Sequence, residues 1–363
     1  MKKESEGKKN KKKEEVAEKK DKKVKAVTIA YSAVIFVVAF LLLVGITIYG
    51  FGKENALTIK SAQIIPFPAA FLGYDTISLN DLNNRTVSVK RFYESQDFSS
   101  LGMRVDFNTD DGKKRLQIKE KAILNKMIED KIIKREAKKR GIVLSSEIIS
   151  QEVDRKMKEY GSENYLKENM ARLYGWDIAD FENYIVKPDM YRDKLAENIK
   201  KNDPEYKKAK EKITKAQTEL KNGSAFADTV KKYSEGESAK NGGSLGWFRA
   251  DQMLPEIALT AFSLEKGKTS DIIESAVGYH LIKVEDKKEE NGENIIKISQ
   301  IFVRVSPISE WLANQEKNTK IFIPLKDYFW NKDSLSVEFK SEEMKKFEEN
   351  VLQNPSDDAS MMF

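Results

Sequence analysis

The 363-residue chain carries one histidine, His280, and no cysteine. That inventory removes thiol nucleophiles, thiolate metal sites, disulfide frameworks and lipid-modified cysteine anchors, together with every mechanism that needs two histidines. Two other patterns invite chemistry. Asp106, Asn108 and Asp110 alternate as in a calcium loop, but the turn position holds Asp111 where glycine is needed and the twelfth position holds Gln117 in place of glutamate. A glycine-rich stretch, GESAKNGGSLGWF over 236–248, lacks both the Lys-Ser/Thr ending of a phosphate-binding loop and the glycine spacing of a dinucleotide fingerprint. Neither pattern supports a ligand, and no metal or small-molecule cofactor is expected. Asp110 and Asp111 instead fit the first turn of a helix capped by Thr109, where carboxylates complement exposed amides.

The elements around these residues divide the chain. At about 100 to 200 residues per domain, the length allows two or three compact units. The net charge of +6 is local: Met1 to Lys25 holds 12 Lys against five Glu and Asp21, leaving 52 basic and 52 acidic residues beyond. Between Lys25 and Lys53 lie 27 uncharged residues rich in Val, Ile, Phe and Leu. A helix of that length, at about 1.5 Å per residue, exceeds the roughly 30 Å of a hydrocarbon core. With Tyr31 and Tyr49 near its ends, 26–52 is expected to be a single transmembrane helix. A cleaved secretory signal is the alternative, but the run is longer than the usual apolar region and no small-residue cleavage site follows. The Lys-rich head places residues 1–25 in the cytoplasm and the rest outside, with no electrostatic pull toward nucleic acid.

Beyond the span, 53–111 shows a weak pattern, with β-prone pieces at Gln63–Ile65 and Val87–Val89. Helical periodicity then becomes clear. Ile123, Leu124, Met127, Ile128 and Ile132 recur at three- and four-residue steps up to Gly141. Ser145 opens a second helix with Ile149, Val153, Met157 and Tyr160 on one side, ending at Gly161. Glu163–Tyr174 and Ile178–Lys201 follow, with Pro188 expected to kink or divide the latter. Tyr206–Lys221 and Phe226–Tyr233 form two more helices before the glycine-rich stretch.

From Ala209 to Val284 the chain resembles a parvulin-type (rotamase) peptidyl-prolyl isomerase domain. The resemblance rests on Ala225-Phe226-Ala227, Tyr233-Ser234-Glu235, SAKNGGSLGWF over 238–248, Gln252-Met253-Leu254-Pro255-Glu256, Ala261-Phe262-Ser263-Leu264 and Gly278-Tyr279-His280-Leu281-Ile282-Lys283-Val284. Their order and spacing carry it more than any one piece. The preceding helical segment is similar, with less specific features, to the amino-terminal chaperone domain of SurA-type and related membrane-anchored foldases. The implied fold is α+β: one transmembrane helix, a helical chaperone domain over 53–203, and an antiparallel sheet with helices over 204–305. A carboxy-terminal segment over 306–363 follows, expected to pack back on the chaperone domain or to offer Tyr328, Phe329 and Trp330 as a client contact.

The family's domain opens with a histidine-bearing strand that is missing before Tyr206. Ile296–Val303 supplies a similar strand after the last one, joined through Asn291-Gly292, a strong hairpin signal. A circularly permuted domain is therefore expected, with a second, truncated repeat as the alternative. Carried over residue by residue, the resemblance puts Leu245, Met253 and Ile257 in the proline pocket, the last replacing a usual phenylalanine. His280 matches the second family histidine. Gln300 falls at the first, and Gly236 at the position that usually holds Cys or Asp.

Isomerising an X-Pro bond requires crossing a rotational barrier of about 18 to 20 kcal/mol without making or breaking a covalent bond to the substrate. An apolar seat for the ring and surroundings that favour the twisted amide are what it needs, so the lack of a nucleophile is no objection. The expected function is a bacterial, membrane-anchored extracytoplasmic foldase, isomerase and chaperone, acting on newly translocated or unfolded polypeptides, with activity reduced by Gln300 and Gly236. The alternative is a holdase that uses a degenerate groove for binding alone, with His280 serving only to hold its strand.

Overall fold

The computed structural model describes residues 32, 35–51, 65–98, 105–159, 163–353 and 360. Residues 35–46 are helical and pass into a π-helical turn, Thr47–Phe51. Among the described residues no helix is long and apolar enough to cross a membrane. Much of the expected span's first third, and the piece at Gln63–Ile64, lie outside the described residues.

Strands β1 (Pro68–Leu72) and β2 (Asp75–Ser78) form a hairpin, followed by helix α1 (Leu79–Ser95). The β-prone Val87–Val89 is thus helical. Ser78 caps α1 by accepting from the Asp81 amide, and Leu79, Leu82, Thr86 and Tyr93 are buried at helical spacing. That continuous buried stripe outweighs the strand preference of two valines, one of them exposed. Helix α2 (Asp110–Lys139) begins where Thr109 Oγ1 accepts from the Gly112 amide at 3.0 Å. Asp106 accepts from the Asn108 amide at 2.8 Å, so the aspartate that suggested calcium shapes a turn.

Helices α3 (Ser146–Glu159), α4 (Glu163–Leu173) and α5 (Ile178–Phe181) follow, then a π-helical segment, Glu182–Val186, and α6 (Lys187–Asn202). The π-turn directly precedes Pro188, whose missing amide cannot serve the helical ladder. Ile149, Val153, Met157, Met170, Phe181, Val186 and Met190 form one buried cluster, against which Trp176 and Ile185 pack.

Helices α7 (Pro204–Lys221) and α8 (Phe226–Tyr233) lead into a four-stranded antiparallel sheet. Its strands are β3 (Ser244–Phe248), β4 (Ile273–Ser275), β5 (Gly278–Glu290) and β6 (Glu293–Arg304), in the order β3-β6-β5-β4. Helix α9 (Pro255–Ser263) covers one face and α10 (Ile308–Asn318) follows the sheet. The β5–β6 hairpin turns at Asn291 and Gly292, both with positive φ, as a tight primed turn requires.

The tail contains β7 (Ile321–Phe322), β8 (Tyr328–Asn331), β9 (Ser336–Phe339) and α11 (Glu342–Gln353). β7 pairs with β1, and Phe322 stacks on Phe71 at 6.1 Å. Tyr328 is not an exposed aromatic: it is buried, and its hydroxyl donates to the Gln117 carbonyl at 3.2 Å. Phe329 and Trp330 are half-buried. The aromatic run alternates across a hairpin packed on α2, which hides its first ring.

Two compact units result, one comprising 1–125 with 320–363 and the other 126–319. The first is held by Tyr328, by the Val337 amide donating to Asn125 Oδ1 at 2.7 Å, and by Lys114 and Lys121 paired with Glu343 and Glu348. The second contains the sheet.

Candidate active site

Register on the sheet decides which side chains meet. β5 and β6 pair with His280 opposite Phe302, Ile282 opposite Gln300 and Val284 opposite Ile298. Alternation puts all six on one face. Across this face Ile257, Ala261, Ile273, Ile282, Val284, Ile296 and Ile298 form a buried cluster, with Phe248, Met253, Phe262 and Leu264 packed against it. Met253 and Ile257 are therefore brought together. Leu245 is not part of that cluster: it sits where the β3–β6 register shifts and is 37% exposed. Phe248, which the sequence reading passed over, brings an aromatic ring to the cluster.

His280 is buried at the edge of this face. Its Nε2 lies 2.7 Å from Ser275 Oγ and its Nδ1 3.4 Å from Gln300 Oε1, and its ring stacks on Phe302 at 4.8 Å. Ser275 Oγ also accepts from the Val277 amide at 3.2 Å and donates to the Gly278 carbonyl at 3.2 Å. The hydroxyl has one proton. Given to Gly278, it leaves Ser275 free to accept from His280 Nε2–H, which makes Nδ1 an acceptor turned toward Gln300. A half-turn of the Gln300 amide then offers its NH2 to that nitrogen. Burial pushes the His280 pKa down, against a smaller upward contribution from the Glu256 charge. The ring is neutral at neutral pH.

Loop residues 234–243 lock the far half of β6. The Glu235 amide donates to the Phe302 carbonyl at 2.7 Å, the Phe302 amide to Ser234 Oγ at 3.1 Å and the Gln300 amide to the Gly243 carbonyl at 2.8 Å. Gly243 has φ +83, and a Cβ there would stand 2.5 Å from the Gln300 carbonyl oxygen. Glycine is required by this close approach. Gly236 differs: its φ is −75 and a Cβ would meet only Phe302 and Ser238 Oγ, at 3.7 Å. The site accommodates a side chain at 236 and does without one. Glu235 is held by Lys212 at 2.6 Å and by the Arg304 amide, so it faces away from this role.

His280, Gln300 and Gly236 thus converge around Phe302, next to the apolar cluster holding Met253 and Ile257. Ser275 and Phe302 were missed by sequence reasoning. Ser275 stands five residues before His280, a spacing that becomes a contact only because Ser275 and Gly278 pair across the β4–β5 turn. The arrangement offers a neutral hydrogen-bonding pair at the rim of an apolar seat, with no nucleophile and, among the described residues, no cluster able to hold a metal ion.

Comparison with known proteins places the chain among characterised families. Residues 194–286 match the PPIC-type PPIase domain and residues 19–203 the SurA-like N-terminal domain. The foldase protein PrsA of Geobacillus sp. (strain WCH70) is 36% identical over 157 residues, covering 36% of this chain and 57% of that protein. PrsA of Geobacillus kaustophilus is 29% identical over 202 residues, covering 49% and 66%. The matches thus span less than two thirds of these relatives' own length. A crystal structure of the peptidylprolyl isomerase PrsA from Bacillus anthracis aligns at 21% identity and a TM-score of 0.20, covering 64% of this chain and 96% of that one. Because the SurA-like match takes in just over half of the sequence, the chain belongs to the family with a SurA-like N-terminal domain, here followed by a match to the PPIC-type PPIase domain.

Proposed function

We propose that the chain is a bacterial, membrane-anchored extracytoplasmic foldase that isomerises X-Pro bonds and chaperones newly translocated polypeptides. The observation that carries this reading is the juxtaposition of His280 and Gln300, 3.4 Å apart, beside the cluster containing Met253 and Ile257. The proline ring would sit against that cluster. Gln300, held in place by His280, would offer its second N–H to the twisted amide, whose nitrogen loses conjugation and gains acceptor character as the bond rotates. Leu245, at the edge strand, would contact the flanking substrate chain, and Gly236 would leave room beside Phe302.

The reading includes a domain order of cytoplasmic head 1–25, anchor 26–52, chaperone domain 53–203, isomerase domain 204–305 and carboxy-terminal segment 306–363. The 27-residue uncharged run behind a Lys-rich head supports the anchor. A circular permutation is supported by β6, which lies second in the sheet yet falls after the residues that match the PPIC-type domain. A second reading, a holdase that binds without turnover, is favoured by Gly236 and Gln300 at positions where titratable groups are usual.

A protease-coupled proline-peptide assay on the detergent-solubilised chain separates the two. Turnover above buffer that falls roughly tenfold or more in Met253→Ala supports isomerisation. A rate equal to buffer, with peptide still bound, supports the holdase.

A further inference from the structure

The amphipathic helix α7 buries Tyr206, Ala209, Ile213 and Ala216 and turns its opposite face to solvent. Charge on that face is unevenly paired. Lys212 holds Glu235 at 2.6 Å and Lys221 is within 3.7 Å of Asp271; on neighbouring α8, Lys231 reaches Asp228 and Lys232 reaches Glu219. Lys207, Lys208, Lys210 and Lys215 are exposed and, among the described residues, meet no carboxylate or aromatic ring. Lys207, Lys210, Glu211, Thr214 and Lys215 line one shallow groove of about 430 Å³ on the outer surface of this single helix. The residues beyond Lys25 are electrically neutral in sum, so four lysines without a carboxylate partner along one helix are a local concentration of positive charge.

We propose that this face of α7 docks on an anionic lipid surface. Its form favours a bilayer over an acidic peptide. A convex helix face with a shallow groove meets a plane well and encloses an extended chain poorly. All four groups are lysine, a hydrated point charge on a long apolar stem, rather than the arginine fork that pairs bidentately with carboxylates. Each lysine near an anionic membrane raises the binding constant roughly fivefold. Four of them, opposed by Glu211, give a weak surface when free and an effective one when the chain is tethered, because a tether supplies an effective concentration on the order of millimolar. The inference therefore rests on the anchoring run at 26–52.

The chain has no cysteine, so Thr214→Cys provides a single labelling site on this face. The full chain is reconstituted into vesicles of zwitterionic lipid or of zwitterionic lipid with about one third phosphatidylglycerol, and a fluorophore at position 214 is quenched by nitroxide-bearing lipid. About threefold stronger quenching in the anionic vesicles is expected, abolished by 0.5 M salt and by Lys207→Gln/Lys210→Gln/Lys215→Gln, whose exposed positions leave the fold intact. Equal quenching in both vesicles, or persistence in the triple variant, overturns the proposal. Pelleting with zwitterionic vesicles reads the anchor separately, since the Lys-rich head also responds to anionic lipid. If the chain stays in the supernatant there, anchoring fails, while salt-sensitive quenching at 214 with anionic vesicles added at about millimolar lipid, the concentration a tether would supply, still decides the role of α7.

Discussion

At the scale of single residues, burial sets the protonation of His280. Its pKa is lowered, chiefly by burial, so the folded state binds the proton less readily than the unfolded chain. Stability is then fully present above about pH 6.5 and is lost as the pH falls toward the depressed folded value. Glu316 has the reverse sign: burial, reinforced by Glu129, pushes its carboxyl up to about 7. That contribution is present below about pH 4.5 and lost as the pH rises through 7. Urea midpoints between pH 5 and 8 test both groups. Glu316→Gln should flatten the loss on the alkaline side, and His280→Gln the loss on the acid side; unchanged pH slopes would contradict the burial argument. Within the site, Ser275→Ala removes the acceptor for His280 Nε2–H. It should lower kcat by roughly tenfold while leaving KM near its original value, because orientation and not ring binding is lost.

At the scale of elements, the glycine-rich stretch acts by geometry. It carries the backbone of 234–243 against β6, and Gly243 permits an approach that a methyl group would block at 2.5 Å from the Gln300 carbonyl and 2.8 Å from Val230. Gly243→Ala should destabilise the sheet unit by about 1–3 kcal/mol, measured as a shift in the urea midpoint, and should depress isomerisation by moving Gln300. Gly236→Ala, with only 3.7 Å contacts and an ordinary φ, should change stability little. A large loss at 236 would mean that the loop is held differently. The sequence already marked these glycines as a signature, but not that one is required by contact and the other only vacates space.

At the scale of the whole molecule, the tail is part of the first unit: β7 extends the β1–β2 sheet and Lys121 is paired with Glu348. Deleting residues 320–363 should therefore remove hydrogen-exchange protection from 65–95 while protection across β5 and β6 persists; retained protection in β1 and β2 would refute this dependence. Much of the molecule is legible in one dimension. The helices from Thr109 to Tyr233 follow from caps and apolar spacing, because both act within a few residues. The Lys-rich head and the uncharged run are likewise local. The region that matches the PPIC-type domain could be located from ordered short motifs, including those that hold Met253 and His280. Three features were decided only by tertiary structure. Val87–Val89 became helical because burial of Leu82, Thr86 and Tyr93 outweighed local preference. Tyr328 was hidden by packing on α2. Ser275 and Phe302 joined His280 because strand register, set by distant hydrogen bonds, chooses which side chains share a face. Sequence determined which groups were available and which local elements they would form; long-range pairing determined which of those groups touch.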